Sequence, residues 1–499
     1  MNKKYRICLF ILLCLSSNIY PQGLDNIWTM GYSSSAGRPY GGNNLNFEFG
    51  FPDTVYVNRP MNIATTCSNI SDQNGNLLFY TNGIYVANAN DSLMINGDNL
   101  NPSQYTSSNS SDGLYLVQAN IILPMPGDSM KYYLFHSTLD TVNVNSILYG
   151  RYLYYSVIDM TLGGGLGAVI SKNNILLDDS INQGGLSAIR HGNGRDWWLV
   201  FHQLNSDQFI KFLITPNGIS GPFRQNIGSH REGYSAQSTF SRDGLKYAIH
   251  DGNYDLDILD FDKCTGSFSN CIHIPINDSS IFGGVAFSPN GNVLYATSYA
   301  WVYQYDLTSA NIQASQTIVA TWDSTYDPQP PFATFFWICK LAPDNKIYIS
   351  TGNGTRHLHV INNPDMLGLA CDLQQHALLL PTYNFNSIPN QPNYHLQAWG
   401  GSICDSLGLP NVIETGRTKI NHTVNVFPNP FGNKFYVEEN NNDIEETKLY
   451  DSFGKEIDIA KVLIKNEYLE YSSSSLPSGV YFLIVKTASY SQTFKLIKL

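Results

Sequence analysis

Short apolar runs, each opened by a turn of Asn, Asp or Gly, recur along most of the chain. They stand at Asn74-Gly75-Asn76 with Leu77 to Tyr80, at Gly127-Asp128 with Tyr132 to Phe135, and at Gly194 with Trp197 to Phe201. Further on come Asp243-Gly244 with Tyr247 to Ile249, Asn290-Gly291 with Val293 to Ala296, and Asp344-Asn345 with Ile347 to Ile349. Asn, Asp and Gly tolerate the positive φ angles of tight hairpins, so each unit predicts a turn feeding a strand. A following strand is legible in Trp301 to Leu307, and in Phe209 to Ile214 before the turn Pro216-Asn217-Gly218. Successive units start about 50 residues apart, the length of one four-stranded propeller blade. The pattern predicts an all-β chain whose residues 23–405 form a seven-bladed β-propeller. The seventh blade is expected from Trp28 to Val57 together with Tyr394 to Trp399, which joins the two ends and leaves no sheet edge open. Because the period is irregular, a stacked pair of β-sandwiches is the competing architecture.

Composition agrees with many strands and turns. Among 499 residues there are 40 Gly, 23 Pro and 32 Tyr, and 13% of the chain is aromatic. The net charge of −11 and the lack of any basic run argue against a nucleic-acid partner. Residues 1–22 read as a signal peptide: Lys3, Lys4 and Arg6 precede the apolar run Ile7 to Leu15, which is too short to span a bilayer, and then polar Ser16-Ser17-Asn18. Bulky Leu13 before Cys14 argues against lipidation. After cleavage Cys67, Cys264, Cys271, Cys339, Cys371 and Cys404 remain, an even number in an exported chain. Cys264 and Cys271 bracket a turn and are the candidate disulfide, with two unpaired thiols as the other reading.

The segments Phe287-Ser288-Pro289-Asn290-Gly291, Phe240-Ser241-Arg242-Asp243-Gly244 and Leu341-Ala342-Pro343-Asp344-Asn345 resemble the turns of WD40-like propellers. The longer string from Asp72 through Asn96-Gly97, Tyr132 to Phe135, Tyr154 to Met160, Gly165 to Gly167 and Pro389-Asn390-Gln391-Pro392-Asn393-Tyr394 resembles the propeller part of a family of exported Bacteroidetes proteins. That resemblance implies fold and address, and no activity.

Near residue 405 the texture changes to an aromatic-poor linker, 406–425, followed by a small domain, 426–499. The domain carries Val426-Phe427-Pro428-Asn429-Pro430-Phe431, Lys448 to Lys455 with Gly454, Ser478-Gly479-Val480-Tyr481 to Ile484, and a closing Phe494 to Leu499. These four motifs resemble the type A C-terminal sorting domain of the type IX secretion system, with Pro428, Asn429, Pro430, Gly454, Gly479 and Tyr481 as the sorting-signal residues. Alternating strands between Gly and Asn turns independently suit a small immunoglobulin-like β-sandwich. The resemblance implies passage across the outer membrane by the secretion machinery, removal of the domain by its sortase, and release or coupling to surface lipopolysaccharide. An accessory sandwich that stays attached is the alternative.

Chemistry is sparse in the motifs. Gly-x-Ser-x-Gly, His-Glu-x-x-His and Walker loops do not occur. Only Glu48, Glu232 and Glu414 precede residue 420, so a glycosidase pair would need Asp or one of these, and nothing in the sequence places two such groups opposite each other. Asp251, Asn253, Asp255 and Asp257 have the spacing of a calcium-loop start, but Leu256 stands where Gly belongs and Asp262 where Glu belongs. Calcium is the weak cofactor candidate there, against a solvated hairpin. His357 and His359 share one strand face and are a second weak metal candidate; His191, His202 and His250 lie near blade turns facing a possible funnel. Six Asp-Ser/Thr-apolar triplets, from Asp53-Thr54-Val55 to Asp405-Ser406-Leu407, resemble the O-glycosylation signal of exported Bacteroidetes proteins. The leading expectation is a non-enzymatic surface propeller whose loops bind a polysaccharide, peptide or protein ligand, with Trp197, Trp198, Trp301 and Tyr299 as aromatic candidates. The alternatives are a lactonase-like propeller hydrolase and a structural component of a surface apparatus.

Overall fold

In the computed structural model, residues 23–404 and 424–499 are described, apart from 49, 142–147, 233–236, 253–254, 281, 440–443, 452–454, 465–467 and 488–490. The expected signal peptide and nearly all of the linker lie outside them. The chain divides into two compact units, Met1–Leu409 and Pro410–Leu499.

Among the described residues of the first unit, antiparallel sheets follow one another in chain order. The first contains Ile27–Gly31, Gly42–Asn46 and Asp53–Val57; the second contains Ser68–Ser71, Leu77–Thr81 and Val86–Asn88. The third contains Asn120–Pro124, Lys131–Ser137, Leu148–Asp159 and Ala168–Ile181, joined by the short Asp140–Thr141. Four-stranded sheets then run Ser187–Arg190 to Gly218–Arg231, Gln237–Phe240 to Ser267–Ile274, Gly284–Phe287 to Thr317–Thr321 and Cys339–Leu341 to Leu373–Asn384. We refer to these as the fourth to seventh sheets. Each of the six predicted turn–strand units lies at the turn into a sheet's second strand, in the second to seventh sheets.

The first strands of the first to third sheets, and those of the fourth to seventh, touch in succession around an axis, and the outer strand Leu373–Asn384 of the seventh packs against the first sheet. That arrangement is a β-propeller. Thr382 N donates to Asn43 Oδ1 at 3.0 Å and Asn43 Nδ2 returns to Thr382 O at 3.1 Å, closing the ring between residues more than 300 positions apart. Apolar side chains fill the spaces between sheets: Trp198, Val200, Phe209, Tyr247, Leu259 and Phe268 form one such layer between the fourth and fifth. At one end of the first strands lie the turns. Ser241 shows why their sequence recurs: its N–H donates to Lys246 O, its hydroxyl to Asp243 Oδ1 at 2.6 Å, and Gly244, at φ 72°, bonds back to Ser241 O. At the opposite end run the connectors between sheets.

The closure differs from expectation. Tyr394 to Trp399 join no sheet; residues 386–395 instead run through the axial channel and carry no ladder hydrogen bonds. Pro389 and Pro392 lack the N–H that a ladder strand needs, so side-chain amides replace the missing pairing. Beyond the channel, Trp399 N donates to Gly192 O at 2.7 Å on the turn face.

The second unit is a sandwich of two four-stranded antiparallel sheets, one built on Val424–Phe427, Lys434–Glu439, Tyr468–Ser472 and Lys461–Ile464, the other on Glu456–Ile457, Ile444–Asp451, Gly479–Thr487 and Ser491–Lys498. Phe431, Phe435, Leu449, Tyr471, Leu483 and Leu496 are buried between them.

Candidate functional site

The propeller axis is where a funnel site is expected, and it is filled by the chain itself. Asn390 Nδ2 donates to Asn120 O (2.9 Å) and Leu186 O (2.8 Å), its N–H to Cys67 O (2.8 Å), and its Oδ1 accepts from Gln118 Nε2 (3.3 Å). Gln391 Nε2 donates to Asn69 O (3.1 Å) and Ile27 O (3.3 Å), and Tyr394 Oη to Ile122 O (2.9 Å). One segment thereby satisfies carbonyls of the first, second and third sheets and of the connector into the fourth. Gln118 exchanges both amide bonds with the backbone of Ser238, and Gln237 serves Val285 and Cys339 in the same way. A cavity of about 180 Å³ remains beside the segment, lined among others by Cys67, Gln237, Phe240 and Ile338.

Lys340 is the one basic side chain tied into this segment by hydrogen bonds among the described residues. Its Nζ donates to Pro389 O at 2.7 Å and Gln391 Oε1 at 3.0 Å, and it lies 5.3 Å from the Trp28 ring centroid. Burial lowers its pKa to about 7. An amine so depressed is chemically able to act as a base, but here it spends its donors on the chain's own carbonyls.

The funnel histidines do not converge. His191 Nε2 contacts Cys264 O at 3.0 Å on the turn face. His202 and His250 are buried near the ends of second strands in the fourth and fifth sheets, where His202 Nδ1 contacts Gln203 O and His250 Nδ1 contacts Gly284 O. Burial pushes both down to about 4, so they are neutral packing groups. His136, which sequence reasoning did not single out, is pushed down to about 3 and bridges Asn101 and Ser156.

The Asp251–Asp257 region is a hairpin with Asp251 opposite Asp255; Asn253 lies outside the described residues. Asp257 is buried and already committed. Its carboxylate accepts from Ser229 N and Oγ (2.8 Å each) and Arg231 Nη2 (3.1 Å), and meets His273 Nδ1 at 2.8 Å. Burial opposes the charge, and Arg231, His273 and Ser229 outweigh it, holding the carboxyl below its ordinary value. Ser229 Oγ is also 2.8 Å from His273 Nδ1, so serine and carboxylate share one ring nitrogen. In a relay triad the histidine instead uses one nitrogen for each partner. Among the described residues no group of three or more His, Cys, Asp or Glu is placed to hold a metal ion.

His357 and His359 flank His376, with ring centroids 5.5 and 5.0 Å from it. His359 is buried, donating through Nε2 to Thr334 O (3.1 Å) and accepting at Nδ1 from His376 N (3.2 Å), so both of its nitrogens are spent. Of the aromatic candidates, Trp197 and Trp198 are buried between sheets, whereas Tyr299 belongs to a half-exposed cluster on the connector face.

The disulfide expectation is corrected. Cys264 pairs with Cys404, 140 residues away, and Cys271 is free. Cys264 sits in the turn after the third strand of the fifth sheet and faces the closing segment, while Cys271 lies within the fourth strand, toward Gly228. Gly192 is required beside the bridge, since a Cβ there would come within 2.3 Å of Cys404 Sγ. Cys67, Cys339 and Cys371 are buried thiols.

In the sandwich, the sorting-motif residues grip the last strand. Asn429 Nδ2 donates to Lys495 O at 2.7 Å and its Oδ1 accepts from Ile497 N at 2.9 Å, with Pro428 and Pro430 on either side. Tyr481 is buried and donates to Pro477 O at 2.8 Å; Gly479 opens its strand, and Gly454 lies outside the described residues.

Residues 425–499 match the secretion system C-terminal sorting domain. The chain is therefore a cargo of the type IX secretion system, engaging its machinery and exported to the cell surface or beyond. No curated protein matches the sequence. Solved structures similar to the chain include a protein of unknown function from Desulfotomaculum acetoxidans (12% identity, 73% of this chain and 99% of that one, TM-score 0.36). Others are a candidate 6-phosphogluconolactonase from Bacteroides fragilis (12%, 73% and 98%, 0.37) and a gluconolactonase from Xanthomonas campestris (11%, 65% and 91%, 0.31).

Proposed function

We propose that the protein is a non-enzymatic, ligand-binding or adhesion propeller of the cell surface, each of its sheets serving as one of seven blades. A signal peptide at 1–22 starts its export, and the sortase of the pathway removes the sorting domain, leaving the body released or coupled to lipopolysaccharide. What supports the non-enzymatic reading is the filled axis: residues 386–395 occupy the channel, and Lys340, Gln118 and Gln237 are spent on backbone. Recognition then falls to the loops around a rigid body.

The second reading, a hydrolase, draws on the contact of Ser229, His273 and Asp257. Incubating the mature protein with lactones and aryl esters separates the two. We expect no turnover above that of the Ser229→Ala variant; turnover lost in that variant would replace the binding reading with the hydrolase.

A further inference from the structure

We propose that the connector 322–338, between the sixth and seventh sheets, is a binding site for a neutral polysaccharide. This rests on the ligand-binding reading and names its ligand class and place. The connector is longer than the junctions 58–67 and 182–186, and shorter than 89–119 between the second and third sheets; long ordered loops in compact domains are usually functional. It folds back on itself through the bridge between Tyr326 and Ala333, so that its tip projects from the face opposite the turns.

Its aromatic side chains are contiguous and partly open. Trp322 lies 5.6 Å from Tyr326 and 4.6 Å from Phe335 between ring centroids, and Phe335 is 4.7 Å from Tyr299. Trp322 is half-buried, while Tyr326 and Phe332 are 40% and 41% exposed. Tyr299 and Ser324 hold φ angles of 45° and 65°, a region that bulky residues adopt only when their surroundings impose it.

Beside the rings stand polar groups whose bonding is incomplete. Asp323, whose Oδ1 accepts from Thr325 N at 3.0 Å, keeps Oδ2 3.7 Å from His376 Nδ1, and Asp327 Oδ2, which accepts from Arg356 N at 2.9 Å, is 3.5 Å from His357 Nε2, both imidazole contacts beyond good hydrogen-bond distance. His357 Nδ1 is buried with no hydrogen-bond partner among the described residues. Thr334 Oγ1 links the two sets, meeting Trp322 Nε1 at 3.2 Å and His376 Nε2 at 2.8 Å. Flat apolar rings next to carboxylates and imidazoles match a pyranose, which offers a C–H face for stacking and vicinal hydroxyls for paired hydrogen bonds. The two carboxylates, on a chain of net charge −11, select against anionic polysaccharides.

The test is affinity electrophoresis of the mature protein in gels containing laminarin, xylan, mannan or galactan, with alginate and a casein digest as comparison probes. At least one neutral polysaccharide should retard the protein. Trp322→Ala and Tyr326→Ala should each weaken that retardation at least tenfold, Asp323→Asn should weaken it less, and Leu369→Ala, on the turn face, should leave it unchanged. Unchanged thermal midpoints show that the variants are folded, and the exposed Tyr326 provides the test if Trp322→Ala is not. Retardation indifferent to both ring variants overturns the site and leaves the binding reading standing. Binding of only alginate or peptide overturns the ligand class, again with the binding reading intact. Failure of all four neutral polysaccharides overturns this inference, whereas turnover of the lactones and esters overturns the binding reading beneath it.

Discussion

The axis of the propeller and the connector 322–338 are built from similar side chains, amides, imidazoles, rings and single charges, yet they use them in opposite ways. Along the axis Asn390, Gln391, Gln118, Gln237 and Lys340 reach backbone partners at 2.6–3.3 Å. On the connector the carboxylates of Asp327 and Asp323 stand 3.5 and 3.7 Å from the imidazoles of His357 and His376. A buried polar group left unpaired is costly, so those of the axis are spent on folding. Groups at the rim keep water as an alternative and can exchange it for a ligand. The contrast teaches that in this molecule the polar groups of the centre hold the fold together, while those of the connector are the ones the proposed binding site would draw on.

Breaking the axis should have the largest effect. Asn390→Leu leaves the carbonyls of Asn120 and Leu186 without this donor and removes one of the two acceptors of the Gln118 amide, which predicts a loss of about 2–6 kcal/mol in urea unfolding of the mature protein. A loss below about 1 kcal/mol would mean that water replaces the segment readily and that the axis is not the structural centre. Cys404→Ser comes next. Opening a bridge that spans 140 residues removes a constraint on the unfolded chain worth about 3–5 kcal/mol, and reductant should lower the thermal midpoint of the parent protein and not of this variant.

Acid provides a finer probe. His250 binds a proton less readily folded, at about 4, than unfolded, where its pKa is about 6.5. The unfolded chain therefore takes up more protons as pH falls, and stability present above pH 6.5 is lost on the way to pH 4. Between pH 7 and 5 this one imidazole should account for about 2 kcal/mol, and His250→Gln should flatten the stability profile by that amount. His376, whose pKa burial also lowers although Asp323 opposes the shift, lies at the connector rim and should contribute less.

Local signals carried most of the fold. Every Asn/Asp/Gly turn with its apolar run fell at the junction of the first and second strands, because a hairpin is encoded by residues that touch each other. The closure was misplaced by several residues since its partners, Asn43 with Thr382 and Asn390 with Cys67, are separated by more than 300 positions. A clue was present: a run of amides between Pro389 and Pro392 cannot form a ladder and has donors to spare. The cysteine pairing failed for the same reason, nearness in sequence being a poor guide where the ring brings residue 404 back to 264. His357 and His359 were legible as one strand face, but His376 between them comes from the neighbouring strand. The density of aromatics from Trp322 to Trp337, without alternation, was the available signal for the connector.

The axial segment also fixes an order of events. A ribosome delivers the strands of every sheet of the body before it delivers Asn390, so the segment that fills the centre is made after the walls it bonds to. The body's interior is assigned to almost the last stretch made before the sorting domain. Folding of the body is therefore a late, whole-chain step rather than one taken sheet by sheet during synthesis.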